Sequence, residues 1–165
     1  MGGRAVVRQC GNLARWETLH DTGGVRLDTA LRRGRCGMWD WDLARGHIFW
    51  SGSMFEILGR DEGDTVLSMG DVAQLLHPDE EDFYNLANAL ATQESGHIDR
   101  TFRMRHADGS WIWLRARAEI VPDHKTWERH LVGIAVDITE QQRLAERSRT
   151  AHMRLRDARE ASSSA

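Results

Sequence analysis

One stretch, residues 98 to 140, limits what this chain can fold into more than any other. Ile98, Phe102 and Met104 recur at even spacing with Asp99, Thr101, Arg103 and Arg105 between them, the alternation of a half-buried strand. Ala107-Asp108-Gly109 then turns the chain, since Asp tolerates and Gly adopts a left-handed backbone. From Ser110 to Val121 alternation resumes, with Ile112, Leu114, Ala116, Ala118 and Ile120 on one face. Trp111, Trp113, Arg115, Arg117 and Glu119 take the other. A second turn spans 122–128, and His130 to Ile138 is apolar almost throughout, as expected of a strand covered on both faces. It runs into Asp137-Ile138-Thr139-Glu140, where Asp137 or Thr139 can cap the first free amides of a helix.

Upstream, Gly37 to Leu43 alternates Trp39 and Trp41 with Met38, Asp40 and Asp42. Ala44-Arg45-Gly46 turns it into a second strand, 47–51. Ser51 or Ser53 can cap a short helix ended by Gly59, and residues 60–70 read as an acidic loop. Asp71 can cap a short helix through Leu76. Pro78 starts another, from Asp79 to about Glu94, with Phe83, Leu86, Ala87 and Leu90 at helical spacing. Two strands, several helices, three strands and an exit helix predict an α+β fold, a five-stranded antiparallel sheet with helices on one face.

The pieces GMWDWDLARGHIFWS, LLHPDEEDF, RMRHADGSWIWLRARAEIV and HLVGIAVDITEQQ, in this order and spacing, resemble a PAS domain with its C-terminal PAC motif. The similarity covers roughly residues 30 to 140 and is to the subtype found in bacterial sensor histidine kinases. It implies a PAS fold with strand order 2-1-5-4-3, flanked by an N-terminal helix and a long C-terminal signalling helix. It also implies a sensory and interaction module in two-component signal transduction. The domain plan is then a flexible leader at 1–24, a flanking helix at 25–34 and the sensory domain at 35–138. A linker helix at 139–160 and a disordered tail at 161–165 follow.

In PAS-like proteins a helix such as 25–34 often lies over the outer sheet face. Leu27 and Leu31 on it, with Trp111 and Trp113 on the sheet, therefore make a candidate dimer or partner face. On the inner face, small residues Ala116, Ala118, Gly133 and Ala135 leave room for a ligand pocket. Phe49, Phe55, Phe83, Phe102, Met104, Ile112 and Leu114 are its candidate lining, unless Met and Phe simply fill the space. Asp137 and Thr139 are the candidate signal relay, with an ordinary helix cap as the plain alternative. Leu144, Ser148, Ala151, Leu155 and Ala158 form a thin seam on the exit helix, suited to pairing with a second copy or else to a fraying tail.

Catalytic residues are not expected. No P-loop, Cys-x-x-Cys, His-Glu-x-x-His or Gly-x-Ser-x-Gly occurs, and neither a phospho-accepting histidine helix nor an ATP-binding domain fits. The chain reads as the sensor part, or a truncated relative, of a histidine kinase. The alternatives are a stand-alone adaptor that binds a kinase or scaffold through its sheet face, and a haem or flavin redox sensor. No cofactor is expected beyond a small-molecule ligand: the flavin-type cysteine is missing from 79–91, and His77 in Leu-His-Pro-Asp-Glu reads as a helix-entry residue rather than a haem ligand. No histidines pair at metal-ligand spacing.

Partners expected are a second copy of the chain and a signalling protein. The net charge of −3, without a basic block, argues against nucleic acid and a membrane surface. No run of about 18 apolar residues and no secretory signal core appear, so a cytoplasmic location is expected. Cys10 and Cys36 read as free thiols of a reducing compartment.

Overall fold

Antiparallel pairing around a central strand organises the molecule. The structure is a computed structural model that describes residues 23–63, 66–80, 85–86, 89–90, 96–123 and 125–163. Helix α1 (Gly23–Arg33) leads into strand β1 (Cys36–Asp42), which turns back as β2 (His47–Trp50). Helix α2 (Gly52–Ile57), strand β3 (Val66–Ser68) and helix α3 (Met69–Ala73) follow. The chain then lays down β4 (His97–Arg105), β5 (Trp111–Pro122) and β6 (Arg129–Asp137) before the exit helix α4 (Thr139–Ser163).

The sheet runs β3-β2-β1-β6-β5-β4. The expected order of the five main strands is present, and the correction is a sixth. Residues 66–68, read as loop, pair along β2 with Val66 opposite Phe49 and Ser68 opposite His47. Three residues give too little alternation to be seen in sequence, and it is the free edge of β2 that makes them a strand. Ser68 ends β3 and caps α3 through a capping box with Asp71, so the cap sits three residues before the one expected. Ser51 occupies the N-cap position of α2, but its hydroxyl accepts from the Met38 amide at 2.9 Å, tying α2 to β1. Ser53 lies within that helix.

The inner sheet face carries the core. Ile112, Leu114, Ala116, Ala118 and Ile120 of β5 are all buried, as their alternation predicts. They join Trp41, Ile48, Trp50, Met54, Phe55, Met104, Leu131 and Ala135 in one cluster. Gly133 faces Ala118, and a Cβ there would lie 2.2 Å from the Arg117 carbonyl oxygen, so the β5–β6 contact admits no side chain. The β6 strand is not covered on both faces: Ile134 is 38% exposed on the outer side.

Two expectations about the flanks change. Helix α1 packs against β1 and α2, with Arg32 bridging Asp28 and Glu56, rather than over Trp111 and Trp113. Helix α4 buries no residue along its length, and it runs to Ser163, so residues 161–163 are helical rather than a disordered tail. Of the helix expected at 79–94, residues 85, 86, 89 and 90 are helical. The rest of that segment beyond Glu80, Phe83 and Ala87 included, lies outside the described residues, as does the leader up to residue 22 and Cys10 within it.

Candidate functional site

Ala116 and Ala135 are directly paired across β5 and β6, where neither side chain reaches beyond Cβ. On either side the inner face carries much larger groups, Trp39 opposite Trp50 on β1 and β2, and Phe102 and Met104 on β4. A hollow floor between tall walls, roofed by Met54, Val72, Leu76 and Leu86, leaves a cavity of about 190 Å³. Trp41, Ile48, Ile98 and Leu131 complete its apolar lining. Among the described residues Glu80, Arg100 and Thr101 are the polar residues of the lining. The Glu80 carboxylate is already engaged, accepting from the Arg103 guanidinium at 2.7 Å.

Phe102, Met104, Ala116 and Ala135 thus line the cavity as the sequence suggests. The other candidates among the described residues do not. Phe49 pairs with Asp40 on the outer face, because in β2 it is Ile48 and Trp50 that turn inward. Phe55 packs edge-on against Trp50, their ring centroids 5.4 Å apart. Ile112 and Leu114 are close-packed core, and Ala118 and Gly133 fill each other's space. Phe83 lies outside the described residues. The missed lining residues, Trp39, Trp41 and Trp50, were legible in the alternation of β1 and β2. Arg100 follows from the same alternation, since it stands opposite Ala116 and so shares the inward face.

Asp137 ends β6 and is the second constellation. One carboxylate oxygen accepts from the Thr139 amide at 2.9 Å and from its hydroxyl at 2.6 Å. The other oxygen takes a short hydrogen bond from the Arg35 guanidinium, and the Arg35 carbonyl in turn accepts from the Asp137 amide at 3.1 Å. Thr139 Oγ1 also accepts from the Trp113 amide at 3.0 Å, and the Ile138 amide donates to the Trp113 carbonyl at 2.9 Å. Burial opposes ionisation of Asp137. The Thr139 and Arg35 hydrogen bonds outweigh it and hold the carboxyl below the usual range. Arg35 was not foreseen. It follows Gly34 at φ +51°, and only the fold brings it beside a residue 102 positions later.

The outer face carries a different network. His130 Nδ1 lies 2.7 Å from Asp40 Oδ1, with the imidazole only 2% exposed. The Asp40 hydrogen bond overcomes burial and raises the His130 pKa above its ordinary value. Nearby Asp42 pairs with Arg45 at 2.8 Å, and Arg45 reaches Glu128. The proposed dimer face is not a single surface. Leu27 and Leu31 lie with α1 beside β1, while Trp113 sits under the Arg103 guanidinium and Trp111 between Arg105 and His77. His77 is thereby an aromatic neighbour of Trp111, its amide bonded to the Arg103 carbonyl. Among the described residues no cluster of His, Cys, Asp and Glu is placed to hold a metal ion.

Comparison with known proteins agrees with this geometry. The PAS fold family model matches residues 47–135. The sensor protein FixL of Bradyrhizobium diazoefficiens is 32% identical over 120 residues, which are 72% of this chain and 24% of FixL. The non-motile and phage-resistance protein of Caulobacter vibrioides is 31% identical over 144 residues, 85% of this chain and 17% of that protein. A sensory box histidine kinase/response regulator structure from Burkholderia thailandensis superposes with a TM-score of 0.61 at 23% identity, covering 80% of this chain and 98% of that one. The chain belongs to the PAS fold family and is a PAS signalling module of bacterial signal transduction. It spans a quarter or less of the length of the curated relatives it matches. No helix among the described residues is long and apolar enough to cross a membrane.

Proposed function

We propose that this chain is the sensory part, or a truncated relative, of a histidine kinase, acting in the cytoplasm as a homodimer and carrying no catalytic residues of its own. A ligand in the inner cavity, or a partner on the sheet, shifts β5 and β6, and the Asp137-Ile138-Thr139 junction passes that shift to α4. The observation that supports this reading is the connectivity of Asp137. Its carboxylate joins the turn after α1, through Arg35, to the first residue of α4, and Thr139 is bonded in turn to β5. One cap bond contributes about 1 kcal/mol, comparable with the bias that shifts a two-state equilibrium.

The experiment is a fusion of residues 1–165 to a kinase core. Asp137→Ala should leave the domain folded and weaken the response to stimulus; a full response with this substitution overturns the relay. Native mass spectrometry of the chain reports subunit number, with a monomer at micromolar concentration contradicting the homodimer. Exposed Leu144 and Leu155, eleven residues apart and so on one face of α4, supply apolar area a second copy would cover.

A second reading, a stand-alone adaptor that binds a kinase or scaffold through the sheet face, draws on Ile134 and Val121, which are 38% and 39% exposed on the outer surface. Substituting Ile134→Lys separates the two, because it should abolish adaptor binding and leave the relay intact. Haem or flavin sensing is the third reading, disfavoured by the edge-on packing of His77 against Trp111. Visible absorbance of the purified protein would restore it.

A further inference from the structure

We infer that the inner cavity is a site for a small, uncharged, planar aromatic molecule, a single ring or fused ring pair. The inference rests on the reading that the stimulus enters at this cavity, and it adds what the stimulus is. Size is the first argument. A volume of about 190 Å³ is below that of pockets for drug-sized ligands, roughly 300 Å³ and upward. It slightly exceeds the engineered apolar cavity of roughly 150 Å³ that stays dry and takes up benzene.

Shape comes next. The floor is the Ala116–Ala135 pair, flat because both side chains stop at Cβ, and the walls are Trp39 and Trp50 on one side and Phe102 on the other. A slot with a flat floor and aromatic walls fits a ring better than a branched aliphatic chain, since aromatic pairs gain from stacked and edge-on contacts beyond area burial. Charge settles the remaining choice. Among the described residues the charged groups on the lining are Glu80 and Arg100, which have opposite signs. Neither sign of ligand is favoured, and an ion among the apolar walls would lose its hydration uncompensated. An inward-pointing arginine on edge strand β4 has its own reason, because such charges discourage edge-to-edge association.

The test uses the whole 165-residue chain, labelled with nitrogen-15 and titrated with indole and with toluene. The indole N–H signals of Trp39 and Trp50 should shift and saturate, while those of Trp111, Trp113 and Trp127, which lie outside the cavity, should not. Indole-3-acetate, the same ring bearing a carboxylate, should bind at least about tenfold more weakly. Ala135→Leu, which raises the floor, should lower indole affinity by at least about tenfold; if it fails to fold, Ala116→Val serves. No movement of Trp39 and Trp50 up to the solubility limit of both probes overturns the inference. Tighter binding of indole-3-acetate, or undiminished indole binding by the filled variant, also overturns it. The Thr139 amide separates this inference from the relay. Shifts at Trp39 and Trp50 without one at Thr139 uphold the aromatic site and sink the relay. If neither ring binds but a ligand retained from the cell moves Thr139, the relay stands and the aromatic class is wrong.

Discussion

Asp42 and Asp137 are dressed alike and tie together different parts of the chain. Each is the last residue of its strand, each side chain is 5% exposed or less, and each accepts from at least one following backbone amide and from an arginine. Each ionises below the usual carboxylate range in spite of burial. The difference lies in where the arginine comes from. Arg45 is three residues after Asp42, so that carboxylate stitches one turn and, through Arg45, touches Glu128. Arg35 precedes Asp137 by 102 residues, so the second carboxylate joins the chain after α1, the end of β6 and the start of α4. Chemically similar sites thus make a local clamp or a long-range tie according to the sequence distance they bridge, and the second is the one proposed as a relay.

Removing the two carboxylates should break this likeness most visibly. Asp42→Ala deletes a buried acceptor of the Ala44 and Arg45 amides and should cost about 2–3 kcal/mol, read from chemical unfolding. Its amide exchange should rise in the β1–β2 and β5–β6 turns and stay unchanged in α4. Asp137→Ala should cost about 1–2 kcal/mol and show the reverse pattern, with faster exchange at residues 139–143. Equal patterns in the two variants would remove any reason to separate clamp from relay.

Much of this was legible because alternation is a direct record of which face a residue takes. The β5 pattern placed Ala116 on the cavity floor, and Asp137-Ile138-Thr139 announced a cap before any fold was known. Phe49 shows the limit: reading aromatic residues as inward missed that Ile48 and Trp50 are the in-facing pair, which the period of two demands. Arg35 shows another. Its role depends on a left-handed turn after Gly34 and on β1 lying beside β6, and a contact between residues 35 and 137 leaves no local pattern. Strand β3 escaped for a similar reason, since an edge pairing of three residues is specified by its partner.

Acid and alkali probe the same comparison with a smaller expected effect. The lowered carboxyls of Asp42 and Asp137 contribute stability that is present above their unfolded value, about 3.9, and lost as pH falls through their folded values. His130 has the opposite sign. Its raised pKa contributes stability that is full below about 6.5 and lost as pH rises through the folded value. Urea unfolding across pH should therefore show a plateau with a loss on each side. Asp137→Asn and Asp42→Asn should each flatten part of the acid limb, and His130→Gln should remove the alkaline one. An acid limb untouched by both substitutions would mean that neither carboxylate gains from folding.

The smallest change in stability should come from Arg35, and it is the sharpest test of what separates the two aspartates. Its side chain is 71% exposed, so solvent screens the ion pair and Arg35→Ala should cost less than about 1 kcal/mol. The backbone is a separate matter, because φ is +51° there and alanine keeps that strain while glycine relieves it. Arg35→Gly should therefore equal or exceed Arg35→Ala in stability, although both lose the same ion pair. In a kinase fusion both should blunt the response, whereas Arg45→Ala, which also frees a buried carboxylate, should leave the response intact. A normal response from Arg35→Ala would reduce the Asp137 junction to what Asp42 is, a cap on the turn that follows it.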